Sequence, residues 1–129
     1  MSKLDEQLAA LEVRLVTTRS EDLIREAVAR AAQAGKSSMV NSIAETGRRD
    51  QGIDLAVRGP GGIVQQMQLG VRWSEREDGG HEVRVVVGDH LTTRPTFFLI
   101  PIGPKKAPAL RSARRFVTSL EEDLATTRV

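Results

Sequence analysis

The stretch IVQQMQLGVRWSEREDGGHEVRVVV, residues 63–87, decides the fold class. In its first half apolar and polar side chains alternate, and one face carries Ile63, Met67, Leu69, Val71 and Trp73. The polar segment 75–80 then turns the chain, and Val83, Val85 and Val87 resume the alternation. A period of two indicates strands with one buried face, and the short polar connection predicts an antiparallel hairpin.

More strands are expected on either side of this hairpin. Residues 39–44 and 53–57 also read as strands, and turns are expected at 46–52 and 59–62. The continuously apolar segment TFFLIPI, residues 96–102, predicts a last strand that is covered on both faces or central in the sheet.

Two helices enclose the predicted strands. Ser20 is a favourable N-cap, an apolar stripe with helical spacing follows it up to Ala34, and Gly35 is expected just past the helix end. From about Ala109 a second stripe predicts a helix of about 16 residues. Residues 1–18 are ambiguous, and we expect a short helical start followed by a strand near 11–18.

Together these elements predict one domain over residues 1–129, with residues 1–10 as a helical or frayed arm. The class is α+β: a single mainly antiparallel sheet of about five strands, with an N-terminal helix and a long C-terminal helix packed on one face. Aromatic residues make up only 3% of the chain, so the core is expected to be aliphatic.

Composition narrows the function classes. The chain has no cysteine, which excludes disulfides, thiol nucleophiles and iron–sulfur clusters. His81 and His90 would lie at opposite ends of one strand, too far apart to share a metal ion. The net charge of +2 is lower than a dedicated nucleic-acid binder requires. We expect no cofactor, no membrane span, no signal peptide and a cytoplasmic location.

The order of elements resembles the helix-grip fold of START-like (polyketide cyclase-like) domains. The resemblance depends on the strand Val83–Val87, on FFLIPIGPK (97–105) and on the helix ARRFVTSLEEDL (113–124). Residues 97–105 are also similar to small actinobacterial proteins without assigned function. The START-like resemblance implies a curved sheet around the long helix and a cavity for an apolar ligand.

Three groups of residues are candidate sites. Large apolar side chains expected to point inward either fill the core or line a ligand pocket: Met67, Trp73, Phe98, Phe116 and Leu120. The densest basic cluster is either a solvated face or an anion site: Lys105, Lys106, Arg111, Arg114 and Arg115. A polar strand face suits either solvent or a partner subunit: Gln66, Gln68 and Arg72, with Arg84 nearby on the next strand.

Two functions are therefore expected. The first is binding of an apolar small ligand between the sheet and the C-terminal helix. The alternative is a non-enzymatic homodimeric protein-interaction or adaptor module. An enzyme is least favoured, because no acid, base and nucleophile are paired by the sequence.

Overall fold

A computed structural model describes residues 3–35, 42–59, 65–90, 96–97, 100–101 and 109–125. The helices and strands, in chain order, are α1 (Lys3–Ala9), β1 (Arg14–Thr17), α2 (Glu21–Gly35), β2 (Ser42–Arg49), β3 (Gly52–Arg58), β4 (Gln65–Glu75), β5 (His81–His90), β6 (Thr96–Phe97), β7 (Ile100–Pro101) and α3 (Leu110–Ala125). The ambiguous N-terminal segment is thus a short helix followed by a strand, as expected.

Five of the strands form one antiparallel sheet in the order β1-β5-β4-β3-β2. Strands β2 to β5 follow one another as hairpins, and β1 joins the free edge of β5, where Leu15 lies opposite Val83. The prediction of an α+β fold with a single mainly antiparallel sheet of about five strands is confirmed.

The apolar face of the sheet is covered by helices. Helices α2 and α3 pack against each other, α2 also contacts β2, and α3 also contacts β1. One continuous core joins α1, both long helices and the sheet; its largest fully buried side chains are Phe116, Ile24, Met67, Leu120 and Leu124. We call the helix-covered side of the sheet the inner face and the opposite side the outer face.

Local sequence signals explain where α2 begins. The backbone N–H groups of Leu23 and Ile24 donate to the side chain and the carbonyl oxygen of Ser20, which confirms the N-cap. Gly35, expected just past the helix, is its last residue. A Cβ atom there would lie 2.9 Å from the carbonyl oxygen of Ser112, so glycine permits the close approach of α2 to α3.

Two predicted boundaries need correction. The turn expected over 46–52 is much shorter, because β2 extends to Arg49 and β3 begins at Gly52. The segment 96–102 is not one central strand: β6 and β7 are two residues each and pair with one another. The reason is that β1 and β4 already occupy both edges of β5. Predictions for residues 39–41 and 60–64 lie outside the described residues.

Candidate functional site

The strand register places four arginines in one line across the outer face. Arg14 lies opposite Arg84, and Arg84 lies opposite Arg72. On the other side of β4, Arg72 lies opposite Gly52, which lies opposite Arg49. We call Arg14, Arg84, Arg72 and Arg49 the arginine row. Since adjacent strands are about 4.8 Å apart, the row crosses about 19 Å of the sheet.

Three arginines of the row have carboxylate partners. Arg14 lies 3.3 Å from Glu82, and Arg49 lies 3.1 Å from Asp54. Arg72 contacts the other oxygen of Asp54 at 2.7 Å. Two carboxylates therefore hold three guanidinium groups.

Arg72 is the most fixed member of the row. Besides Asp54, its guanidinium donates hydrogen bonds to the carbonyl oxygens of Ile53 and Val71, at 3.3 and 3.2 Å. It lies flat on the sheet, because Gly52 and Gly70 have no side chains there: a Cβ atom on Gly70 would lie 2.9 Å from Arg72 Nη1. The side chain is 23% exposed, so it keeps an accessible edge.

Arg84 differs from the other three. It is exposed, it stands between two arginines, and no carboxylate whose side chain the structure describes forms an ion pair with it. Like charges directly opposite one another on a sheet are destabilising. Among the described residues, Arg84 is therefore the one arginine of the row that has no carboxylate partner.

Two clefts open on the outer face beside the row. The larger has a volume of about 760 Å³, and Arg49, Arg72 and Arg84 border it together with Asp50 and Glu82. The smaller has a volume of about 290 Å³, and it shares Arg49 and Arg72 with the first. Gly70, Gly88 and Gln68 also line the smaller cleft. Both clefts are therefore flanked by fixed cationic groups.

The carboxyl of Asp54 responds to these cations. Partial burial raises the pKa of Asp54, but hydrogen bonds from Arg72 and Arg49 and their positive charges outweigh that effect. The net result is a pKa below the ordinary value, so Asp54 stays ionised and keeps both arginines in position.

The predicted apolar-pocket residues are core residues of the sheet and α3. Met67 and Trp73 are 1% and 3% exposed, and Phe116 and Leu120 are completely buried. Phe98 lies outside the described residues. Neither of the two clefts is bordered by Met67, Phe116 or Leu120, and of these four core residues only Trp73 reaches the larger one.

The predicted anion-binding cluster is described only in part. Arg111, Arg114 and Arg115 are exposed on α3, in the helical layer and away from the arginine row. Lys105 and Lys106 lie outside the described residues. The structure thus separates this cluster from the basic surface of the outer face.

The sequence predicted two of the four residues of the arginine row. Alternation along the central hairpin predicted that Arg72 and Arg84 share a face, and they are direct neighbours. Arg14 and Arg49 were missed, because only the register of β1 on β5 and of β2 on β3 brings them into line. In the sequence, each of them is a charged residue at the end of a strand, and charged residues are common at such positions.

Within the ranges that the structure describes, no group of three His, Asp or Glu side chains could hold a metal ion. No helix in the same part of the chain is long and apolar enough to cross a membrane. The chain matches no model of a known protein family, no curated protein and no solved structure.

Proposed function

We propose that this chain is a protein-interaction module that binds its partner on the outer face of the sheet, across the two clefts. The observation that carries the proposal is the convergence of Arg49, Arg72 and Arg84, from three different strands, on a single cleft. Arginine is enriched at protein interfaces, since its planar group forms several directed hydrogen bonds at once.

The two faces of the sheet have different roles, and this difference supports the proposal. The helices cover the inner face and supply the core, so the outer face contributes less to stability and is available for contact. Gly70 and Gly88 leave space in which the side chains of Arg72 and Gln68 lie over the sheet beside the smaller cleft. A partner segment would therefore meet the guanidinium of Arg72 and the amide of Gln68 on this surface.

A second copy of the chain is a poorer occupant. A two-fold contact presents the same patch from both sides, so two surfaces that each carry more arginines than carboxylates would meet. The partner we propose is therefore a different protein.

Site-specific photo-crosslinking in cells of the source organism tests the proposal. A photoreactive residue replaces exposed Ser74 or Gln68 on the outer face, and matched controls replace exposed Gln33 on α2 or Thr118 on α3. Mass spectrometry should identify the same partner from both outer-face positions and from neither helix position. A partner captured only from the helices would contradict the proposal, and an adduct of two copies of the chain would show self-association instead.

A further inference from the structure

We infer that the partner presents an acidic extended segment, and that Arg84 is the residue that anchors it. This inference rests on the proposed function, because it names the chemistry of the partner that binds the outer face. Its starting point is the charge balance of the arginine row, where two carboxylates serve three of the four guanidinium groups.

Arg84 has a position in the row that favours binding of a carboxylate from a partner. Its neighbours on both sides are arginines, and both of those turn to carboxylates of the chain itself. Arg84 is left exposed at the border of the larger cleft. An incoming carboxylate would neutralise Arg84 and relieve the repulsion between the arginines of the row. Because this repulsion destabilises the chain without its partner, its removal adds to the free energy of binding.

Arg72 also favours binding of a carboxylate, because its guanidinium is already held in place. One carboxylate and two backbone carbonyl oxygens hold its guanidinium before any partner arrives. Little side-chain freedom is therefore lost on binding at this position. A fixed Arg72 and an exposed Arg84 together form a cationic pair that lines one cleft.

The chemistry of the clefts favours protein carboxylates over a nucleic-acid backbone. Asp50, Asp54 and Glu82 lie among the arginines, so this surface has only a small excess of positive charge, whereas nucleic-acid binders present a strongly basic surface. Trp73 is the one Phe, Trp or Tyr residue in the five strands of the main sheet, and its ring packs inward, so these strands offer no exposed platform for base stacking.

The dimensions of the row set the length of the segment. At about 3.3 Å per residue, about six extended residues span the 19 Å or so of the row. Carboxylates at alternate positions of such a segment would all point to the sheet. A guanidinium group can donate two parallel hydrogen bonds to a carboxylate.

Fluorescence anisotropy of the full chain with a labelled octapeptide of alternating glutamate and serine tests the inference. We expect binding that weakens with added salt, and no binding of the same peptide with glutamine in place of glutamate. Arg84→Gln should weaken the affinity about tenfold or more, the effect of losing a hydrogen bond to a charged group. Arg114→Gln removes the same charge from exposed α3 and should leave the affinity unchanged.

Stability measurements separate binding from folding. The melting temperature of Arg84→Gln should equal or exceed that of the unmodified chain, because the substitution removes like-charge repulsion. Arg84→Lys keeps the charge but loses the planar fork, so we expect an intermediate affinity. A clear drop in the melting temperature of Arg84→Gln, with full affinity in Arg84→Lys, would contradict the anchoring role.

Three further outcomes would overturn the inference. Equal binding of the glutamine peptide would show that charge is not recognised. Full competition by millimolar inorganic phosphate would indicate a small-anion site, and tighter, Arg84-dependent binding of a single-stranded oligothymidylate would indicate nucleic acid. If no acidic peptide binds while Ser74 and Gln68 still crosslink one partner, the inference alone fails and the proposed function stands.

Discussion

Arg72 and Asp54 are joined diagonally across β4 and β3: Arg72 Nη2 donates to Asp54 Oδ1 at 2.7 Å, although the residue directly opposite Asp54 is Gly70. Because Gly70 has no side chain, the guanidinium can lie over it and reach the diagonal carboxylate. The ion pair therefore depends on the residues at three neighbouring positions of the sheet, Arg72, Asp54 and Gly70.

The ion pair predicts a specific dependence of stability on pH. The pKa of Asp54 is lower in the folded chain than the ordinary value of about 3.9. The unfolded state therefore binds more protons in this range, and the stabilisation from Asp54 is complete above pH 3.9 and is lost as the pH falls through the folded-state value. Asp54→Asn should flatten the acid side of the stability profile in urea unfolding between pH 7 and pH 3. An unchanged slope would contradict this prediction.

The contact between α2 and α3 predicts an unusual response to alanine. In most helices Gly→Ala is stabilising, but a Cβ atom on Gly35 would lie 2.9 Å from the carbonyl oxygen of Ser112 and would also meet Ile43. We expect Gly35→Ala to lower the free energy of unfolding by about 1–3 kcal/mol, the usual cost of overpacking. Gly47→Ala is the control, since its nearest neighbour lies at 3.6 Å; there the change should stay within about 0.5 kcal/mol. Equal effects at both glycines would refute the steric explanation.

Phe116 is the largest completely buried side chain among the residues that the structure describes. Phe116→Ala should lower the free energy of unfolding by about 3–5 kcal/mol, because it leaves a cavity between α3 and the rest of the core. Leu23→Ala removes an apolar side chain that is 39% exposed and should cost less than about 1 kcal/mol. Denaturant unfolding of both variants measures the difference, and a loss below 1 kcal/mol for Phe116→Ala would remove this residue from the core.

Arg25 joins α2 to the turn between β2 and β3. Its guanidinium lies 4.8 Å from the centre of the Trp73 ring and donates to the carbonyl oxygen of Arg49 at 3.0 Å. Arg25→Ala should destabilise the chain by about 1–2 kcal/mol, since the contact with Trp73, the hydrogen bond to Arg49 and the ion pair with Glu21 are all lost. Trp73 is the one tryptophan, so its fluorescence spectrum should change as well. Arg25→Lys keeps the charge without the fork and should recover part of the stability; full recovery would argue against the directed hydrogen bond.

A native mass spectrum of the gently purified protein addresses the expectation of an apolar ligand. Because Met67, Trp73, Phe116 and Leu120 pack in the core, we expect the mass of the chain alone. An added mass of a few hundred daltons, lost on denaturation, would instead support a ligand carrier. The START-like resemblance stays a prediction.

Local sequence patterns predicted which side of each long strand and helix is buried. The alternation in β4 and β5 and the apolar stripes of α2 and α3 each report which side of an element is buried, so these elements were predicted well. The segment 96–102 is equally apolar, but its position depended on whether β5 had a free edge. That edge is taken by β1, which is distant in sequence, and no local pattern contains this information.

The same limit applies to the site. A large buried side chain such as Phe116 has the same sequence signature in a filled core and in a pocket wall, so the pattern could not decide between them. Arg72 and Arg84 were placed together because they belong to one hairpin. Arg14 and Arg49 needed the full strand order.

The pairing of β1 with β5 also has a consequence for biosynthesis. Thr17 meets His81, so the first strand has no hydrogen-bonding partner until β5 has emerged from the ribosome. Closing so long a loop is slow compared with forming the hairpins β2 to β5, which are contiguous in the chain. We therefore expect the nascent chain to form β2 to β5 first and to add β1 at the edge of β5, and with it Arg14 of the arginine row, as a late step.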